Sequence, residues 1–483
     1  MLFNSYLFIL CFLPICLCGY FALNKIEYRL AQGFLLGMSL WFYGYYNPWY
    51  LLLIGASVAF NYLFSRLLSR GRFEKNKIVL TIAILFNVGL IFYYKYFDFF
   101  IENINAAFNA DFVIRNIALP LGISFFTFQQ ISYVVDSYKG ATKDYNFLEY
   151  ALFVTYFPQL IAGPIVLHSE MISQFRDESR RKPDYERLSR GVCLFTRGLA
   201  KKVLIADTFD TAVAWGFSNV QSATALDFIV VSLAYTFQIY FDFSGYSDMA
   251  TGLASMFGFD LTCNFDSPYK SLSVPEFWRR WHMTLTRFLR TYIYFPLGGS
   301  RKGTVRTYVN IMIVYLVSGI WHGANWTFIL WGILHGIANC IGRAGSKIYE
   351  KLFKPVQWFI TFAFVNFAWL LFRADSVSQW LHIMHTIIDF DDVYISEGLG
   401  STLKLPYVRS LLLRLSVPYT DYGVYIFSIV IILILALVLC LCFENNYNKK
   451  YKYDIKNMVF TVFLLVLCVV SLSDVSVFLY FNF

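Results

Sequence analysis

The chain has 483 residues, of which 58% are apolar, 20% aromatic and only 15% charged, against about 25% Asp, Glu, Lys and Arg in an average soluble domain. With 51 Phe and 35 Tyr it has too little polar surface to cover the several cores a soluble chain of this length would form, which excludes an ordinary soluble enzyme and leaves a polytopic membrane protein. The net charge of +9 comes from Lys and Arg gathered in short segments between apolar stretches, the pattern of cytoplasmic loops and not of a nucleic-acid-binding surface.

A bilayer core about 30 Å thick asks for about 20 apolar residues per helix. On that ruler, spans are predicted near 2–22, 31–47, 49–66, 78–96, 113–135, 148–166, 191–216, 226–257, 304–320, 324–342, 356–374, 422–443 and 457–480. The first lacks a basic leader and a small-residue cleavage pattern, so it reads as a retained helix and not a signal peptide. The nine cysteines lie mostly inside apolar runs without Cys-x-x-Cys spacing, which gives neither disulfides nor zinc. A single membrane domain over 1–483 is expected. The loop with Arg66, Arg70, Arg72, Lys75 and Lys77 is placed inside, with the segments carrying Arg176 to Arg190, Arg279 to Lys302 and Lys449 to Lys456. Alternation puts 376–421, with Asp389, Asp391 and Asp392, outside as a loop, followed by two C-terminal spans. Parity fails between 97 and 175, so one of the spans 113–135 and 148–166 is expected to be re-entrant or interfacial. Pro158, Gly163 and Pro164 mark 156–165 as that broken element, and with Gln159 it is expected to line the same cavity as the residues below.

Three further segments carry chemistry. Ser273 to Tyr292 opens with a Ser-x-x-Glu capping box and Pro275 in the first turn. As one helix it puts Trp278, Trp281, Leu285, Phe288 and Tyr292 in a stripe opposite Arg279, Arg280, Arg287 and Arg290, the pattern of a helix lying in the interface. The arginines meet either anionic lipid heads or a phosphorylated cytosolic ligand such as coenzyme A, and His282 sits at the border of the two faces. In Ser318 to Trp326, His322 stands between Trp321 and Gly323 in an apolar setting, either as a hydrogen-bonded structural residue or as a base. Imidazole suits proton transfer near neutral pH. His335, on the following helix, is read as structural, and His382 and His385 show no third ligand for a metal. In Phe241 to Asp248, Gly245 and two serines suggest a helix break that exposes Asp242 to a polar cavity or leaves it paired with a cation.

Taken together, Tyr156 to Ile165, Phe241 to Asp248, Trp278 to His282, Pro296 to Gly303, Trp321-His322-Gly323 and Leu330 to Gly336 resemble the membrane-bound O-acyltransferase family over roughly 40–375. Phe157 to Pro164 and Gly298 to Gly303 resemble its alginate O-acetylation branch, with the peptidoglycan O-acetyltransferase component as a sibling. The resemblance implies an all-α polytopic membrane protein, a ring of tilted helices around a funnel-shaped chamber with re-entrant and interfacial helices, in a bacterial inner membrane. It implies His322 as the catalytic histidine and His282 as the second polar position of the chamber. Acetyl-CoA would be the donor, with no metal, and the acetyl group would pass outward to an SGNH-type periplasmic partner that modifies a cell-wall or exopolysaccharide glycan, peptidoglycan or alginate-like. Physically, a charged coenzyme cannot cross the bilayer whereas a neutral acetyl group can traverse a tunnel. On this reading Arg279, Arg280, Arg301 and Lys302 hold the coenzyme A phosphates, and Trp278, Trp281, Trp321, Asn325, Asp242, Pro158 and Gln159 line the chamber. The alternatives are D-alanyl transfer of the teichoic acid type, a non-catalytic exporter of an acyl carrier or glycan, and a scaffold for a periplasmic partner. Tyr480 is weighed as an acyl relay and as part of an interfacial aromatic belt.

Overall fold

A backbone within lipid must satisfy its own hydrogen bonds, so a chain this apolar has to be helical. In the computed structural model, which describes residues 1–69, 74–142, 144–405, 407–415, 418–449, 451, 454–472 and 476–479, helices are the only regular elements. Arg70, Arg72, Lys450, Lys452 and Tyr480 lie outside the described residues.

The chain folds as two compact units. Unit 1 comprises Met1–Leu199, Tyr246–Asn264 and Lys450–Phe483. Its helices are α1 (Leu13–Asn24), α2 (Tyr28–Gly44), α3 (Trp49–Ser69), α4 (Lys77–Ile91), α5 (Phe97–Phe108), α6 (Ile123–Tyr138), α7 (Phe147–Thr155), α8 (Phe157–Leu160), α9 (His168–Arg176) and α10 (Tyr185–Ala200). Unit 2 comprises Ala200–Gly245 and Phe265–Lys449. It begins with α11 (Asp207–Ser218) and with α12 (Ala225–Met256), which ends in unit 1. It continues through α13 (Val274–Arg280), α14 (Met283–Leu289), α15 (Thr304–His322), α16 (Trp326–Ala344), α17 (Ser346–Tyr349) and α18 (Lys354–Arg373). After α19 (Val377–Asp389), α20 (Glu397–Thr402), α21 (Val408–Arg414) and α22 (Asp421–Cys442), the chain returns to unit 1 for α23 (Ile455–Val470).

Among the described residues, six helical stretches are long and apolar enough to cross a bilayer: α3, Lys77–Phe108, α12, α15, α18 and α22. The extremes show how they are used. The most apolar window of α22 has a mean hydropathy of 3.3 and is only 28% buried, whereas that of α12 is 83% buried, so α22 faces lipid and α12 is surrounded by protein. In unit 1, α3, α4 and α6 are tied by buried amides: Asn61 Nδ2 donates to Gln130 Oε1 at 2.7 Å, and Asn87 Nδ2 to Asn61 Oδ1 at 2.6 Å. Such bonds hold helices together where no water competes.

The stretch 148–166 is broken within 156–165, as Pro158, Gly163 and Pro164 predict: α7 stops at Thr155, Tyr156 turns out of helical geometry, and Gln159 Nε2 braces the break by donating to Phe153 O at 2.6 Å. Pro158 fits there because it stands in the first turn of α8, where no N–H is needed. His168, which follows this element, is fixed by Asp136 at 3.2 Å and Tyr145 at 3.3 Å. The predicted break at Gly245 does not occur; α12 runs through it, because a buried backbone has no water to bond outside the helix. The stretch 376–421, expected as a loop, contains helices α19 to α21, with Ser376 capping α19 by accepting from Gln379 N.

Candidate active site

The segment predicted as one interfacial helix is two, and the break between them makes the site. Ser273 Oγ caps α13 by accepting from Glu276 N, as the capping box requires. The helix ends at Arg280 because its carbonyl, which a continuing helix would offer to the next turn, is taken by Asp266 N at 2.9 Å. Trp281 is extended and His282 adopts the left-handed conformation, φ 44°, ψ 50°, before α14 resumes. That geometry is strained for a residue with a side chain and is characteristic of functional sites. The turn drives the His282 ring inward, fully buried and edge-on to Phe243 at 4.8 Å. Burial pushes its imidazole down to about 3, so the ring is neutral at physiological pH. The expected aromatic stripe faces protein and not lipid: Trp278, Trp281, Leu285 and Phe288 are all buried.

His322 is the last residue of α15, where Gly323 leaves helical geometry. It is 4% exposed, and its ring meets Trp321 at 4.9 Å, Trp331 at 5.1 Å and Phe372 at 5.1 Å. Trp321 also lies 6.0 Å from His282, so the two histidines approach one indole. Helices α15 and α16 form a hairpin that touches backbone to backbone. A Cβ on Gly319 would stand 2.3 Å from Phe328 O, and one on Gly332 would stand 2.4 Å from Tyr315 O, so only glycine fits at either position.

Beside this hairpin is a cavity of about 690 Å³ whose lining includes Trp278, Arg279, Arg290, Tyr315, Ser318 and Arg343. Its size falls within the range of small-molecule sites, roughly 300–1,000 Å³. Arg279, Arg290 and Arg343 are exposed at its mouth, while Ser318 is buried and one helical turn from His322.

A family model described as MBOAT, the membrane-bound O-acyltransferase family, matches residues 35–378. The chain belongs to that family. It is therefore an acyltransferase and a multi-pass membrane protein. Among similar proteins, the peptidoglycan O-acetyltransferase of Helicobacter pylori is 41% identical over 425 residues, 81% of each chain. The probable alginate O-acetylase AlgI of Pseudomonas aeruginosa is 38% identical over 421 residues, 86% of this chain and 80% of that one. The teichoic acid D-alanyltransferase of Streptococcus thermophilus is 27% identical over 291 residues, 54% of this chain and 69% of that one.

Within this acyltransferase the predicted site residues separate. His282, His322, Trp278, Trp281 and Trp321 gather in unit 2 around the hairpin, and Arg279 lines the cavity. Arg280 does not line it; its guanidinium is held by Glu276 at 3.0 Å and Asp266 at 3.5 Å. Arg301 and Lys302 are exposed on the turn before α15, also outside the lining. Asn325, expected in the chamber wall, caps α16 by accepting from Thr327 N and ties it to Asp375 O. Asp242 is buried in an ion pair with Lys202, 2.8 Å, which also reaches Asp207 at 2.9 Å. Pro158 and Gln159 belong to the broken element of unit 1. Among the described residues no cluster of metal-ligating side chains is present. His382 bonds Val220 O and His385 pairs with Asp389.

Sequence reasoning missed Arg343, Ser318, Trp331 and the role of His335. The last was legible: Thr327, Trp331, His335 and Asn339 recur at four-residue spacing, one stripe of α16. His335 is fully buried and accepts the indole N–H of Trp278, a wall of the cavity, at Nδ1, 3.1 Å.

Proposed function

We propose that the protein is a membrane O-acetyltransferase of the bacterial inner membrane that takes acetyl from cytosolic acetyl-CoA and passes it outward for O-acetylation of a cell-wall or secreted glycan. The observation that carries this is the cavity with arginines at its mouth and Ser318, one turn from His322, in its wall. The phosphates of coenzyme A match Arg279, Arg290 and Arg343, since guanidinium groups bind phosphate through paired hydrogen bonds. A thioester delivered past Ser318 arrives beside a buried imidazole. His322 accepts the proton of the acceptor hydroxyl as that oxygen bonds to the thioester carbonyl carbon. Collapse of the adduct breaks the C–S bond, and the proton returns from the imidazolium to the thiolate, releasing coenzyme A. His282, neutral and buried, orients the reactants.

The relatives at 38–41% identity are named for acetyl transfer to peptidoglycan and alginate, and those at 24–27% for D-alanyl transfer to teichoic acid, which supports acetyl as the group carried. An SGNH-type periplasmic acetyltransferase is the partner that receives it. The test follows coenzyme A release from acetyl-CoA by purified protein in liposomes, with that partner and a glycan acceptor present. Wild type should turn over and His322→Ala should lose about 10²–10⁴-fold. Equal rates would remove His322 from the chemistry, and no turnover without a carrier protein would replace acetyl by D-alanyl transfer.

A further inference from the structure

Between the cavity and His322 lies a side chain whose hydrogen-bonding capacity is unspent. Trp331 is fully buried, and its indole N–H has no acceptor within hydrogen-bond reach. Its ring stands edge-on to two others: Trp278, which walls the cavity, at 5.6 Å, and His322 at 5.1 Å. On the facing helix, Ser318 Oγ is likewise buried without a partner, in the cavity lining and one turn from His322. A buried donor left unmade costs roughly 1–3 kcal/mol. Two of them near one histidine, Ser318 in the cavity lining and Trp331 against the cavity wall Trp278, describe a place prepared for an oxygen that is not part of the protein. Packing alone explains neither: Phe would fill the indole's place and Ala the serine's without stranding a polar group.

We infer that Trp331 Nε1–H and Ser318 Oγ–H are the donors that receive the carbonyl oxygen of the acyl thioester and stabilise the negative charge it gains in the tetrahedral adduct. This rests on the acetyl-transfer reading above. As the acceptor oxygen bonds to the carbonyl carbon, the carbonyl π electrons move onto its oxygen, and the two donors bond that oxyanion while His322 holds the proton. When the C–S bond breaks, the electron pair returns to re-form the carbonyl, the thiolate takes the proton, and both donors are released with the acetyl ester. Donors fixed in a water-excluded site need no reorganisation during the reaction, which makes them effective there.

Trp331→Phe, in the full-length protein in liposomes, removes the N–H and keeps an aromatic ring. The expected result is a fall in kcat of about 10²-fold with KM for acetyl-CoA changed by less than about twofold, because the bond strengthens only as charge develops. The thermal midpoint should stay level or rise, since a stranded donor has been removed. Ser318→Ala should lower kcat in the same manner, and it removes a single oxygen, so it decides the matter should the Phe variant fail to fold. A Trp331→Phe variant that is more stable and turns over at the wild-type rate overturns the assignment, as does a Ser318→Ala variant whose loss is confined to KM. Wild-type release of coenzyme A is the control. Its absence overturns the acetyl-transfer reading, whereas wild-type release matched by both variants overturns only the donors.

Discussion

Trp278 donates its indole N–H to His335 Nδ1 at 3.1 Å, joining the wall of the cavity on α13 to the middle of α16. The bond fixes the His335 tautomer with its proton on Nε2 and sets the angle at which Trp278 meets the cavity. His335→Leu leaves the Trp278 N–H buried without an acceptor. That should cost about 1–3 kcal/mol of stability, read as a lower thermal midpoint, and should raise KM for acetyl-CoA. His335→Gln, which retains an acceptor, should recover part of both. If His335→Leu leaves midpoint and KM unchanged, the bond does not position the wall.

The arginines of this region differ in what holds them. Arg279, Arg290 and Arg343 line the cavity mouth, whereas Arg280 is engaged by Glu276 and Asp266. Alanine at any of the first three should raise KM for acetyl-CoA about tenfold, the loss of one charge-assisted hydrogen bond, with the effect shrinking at high salt. Alanine at Arg280, Arg301 or Lys302 should leave KM within about twofold, since those residues stand outside the cavity. Steady-state kinetics on the six variants checks this, and a KM effect at Arg301 equal to that at Arg343 would place the coenzyme elsewhere.

How much of this was legible in the sequence depends on distance along the chain. Local signals read well: the cap at Ser273 and the broken element at Pro158 both stand in their own neighbourhoods. The break at Trp281-His282 was not legible, because its cause is Asp266, which bonds the Arg280 carbonyl from outside the helix. The same limit hid Arg343, which joins Arg279 at the cavity only through the α15–α16 hairpin. It also made Gly245 look like a break, since only three-dimensional burial shows that the backbone there has no competing solvent. Asp242 was open between cavity and ion pair until Lys202 supplied the partner.

That partner gives the next prediction. Lys202 Nζ lies 2.8 Å from Asp242 and 2.9 Å from Asp207, with Lys202 and Asp242 both buried. Removing one member of such a pair strands a buried charge at a cost of about 3–5 kcal/mol, far above the pair's own net worth. Lys202→Met should therefore lower the thermal midpoint sharply and reduce turnover, because the next residue after Asp242 is Phe243, which packs against His282. Replacing both, Lys202→Met with Asp242→Leu, should restore part of the lost stability. A double variant no more stable than Lys202→Met would show that the pair is not coupled.

Acid sensitivity should report on His282. Burial lowers its imidazole from 6.5 to about 3. The unfolded chain thus takes up a proton on this ring as pH drops through 6.5, while the folded chain refuses it down to about 3. The stability owed to the neutral ring is complete above pH 6.5 and is lost progressively as pH falls from 6.5 toward 3. Between pH 7.5 and 5.5 that loss amounts to about 1 kcal/mol from this one group. Thermal unfolding in detergent at the two pH values should show wild type losing more than His282→Asn, whose amide does not titrate. Parallel losses in the two proteins would mean that His282 is charged in the folded state, and its part in the reaction would then be that of a cation and not of a neutral hydrogen-bonding ring.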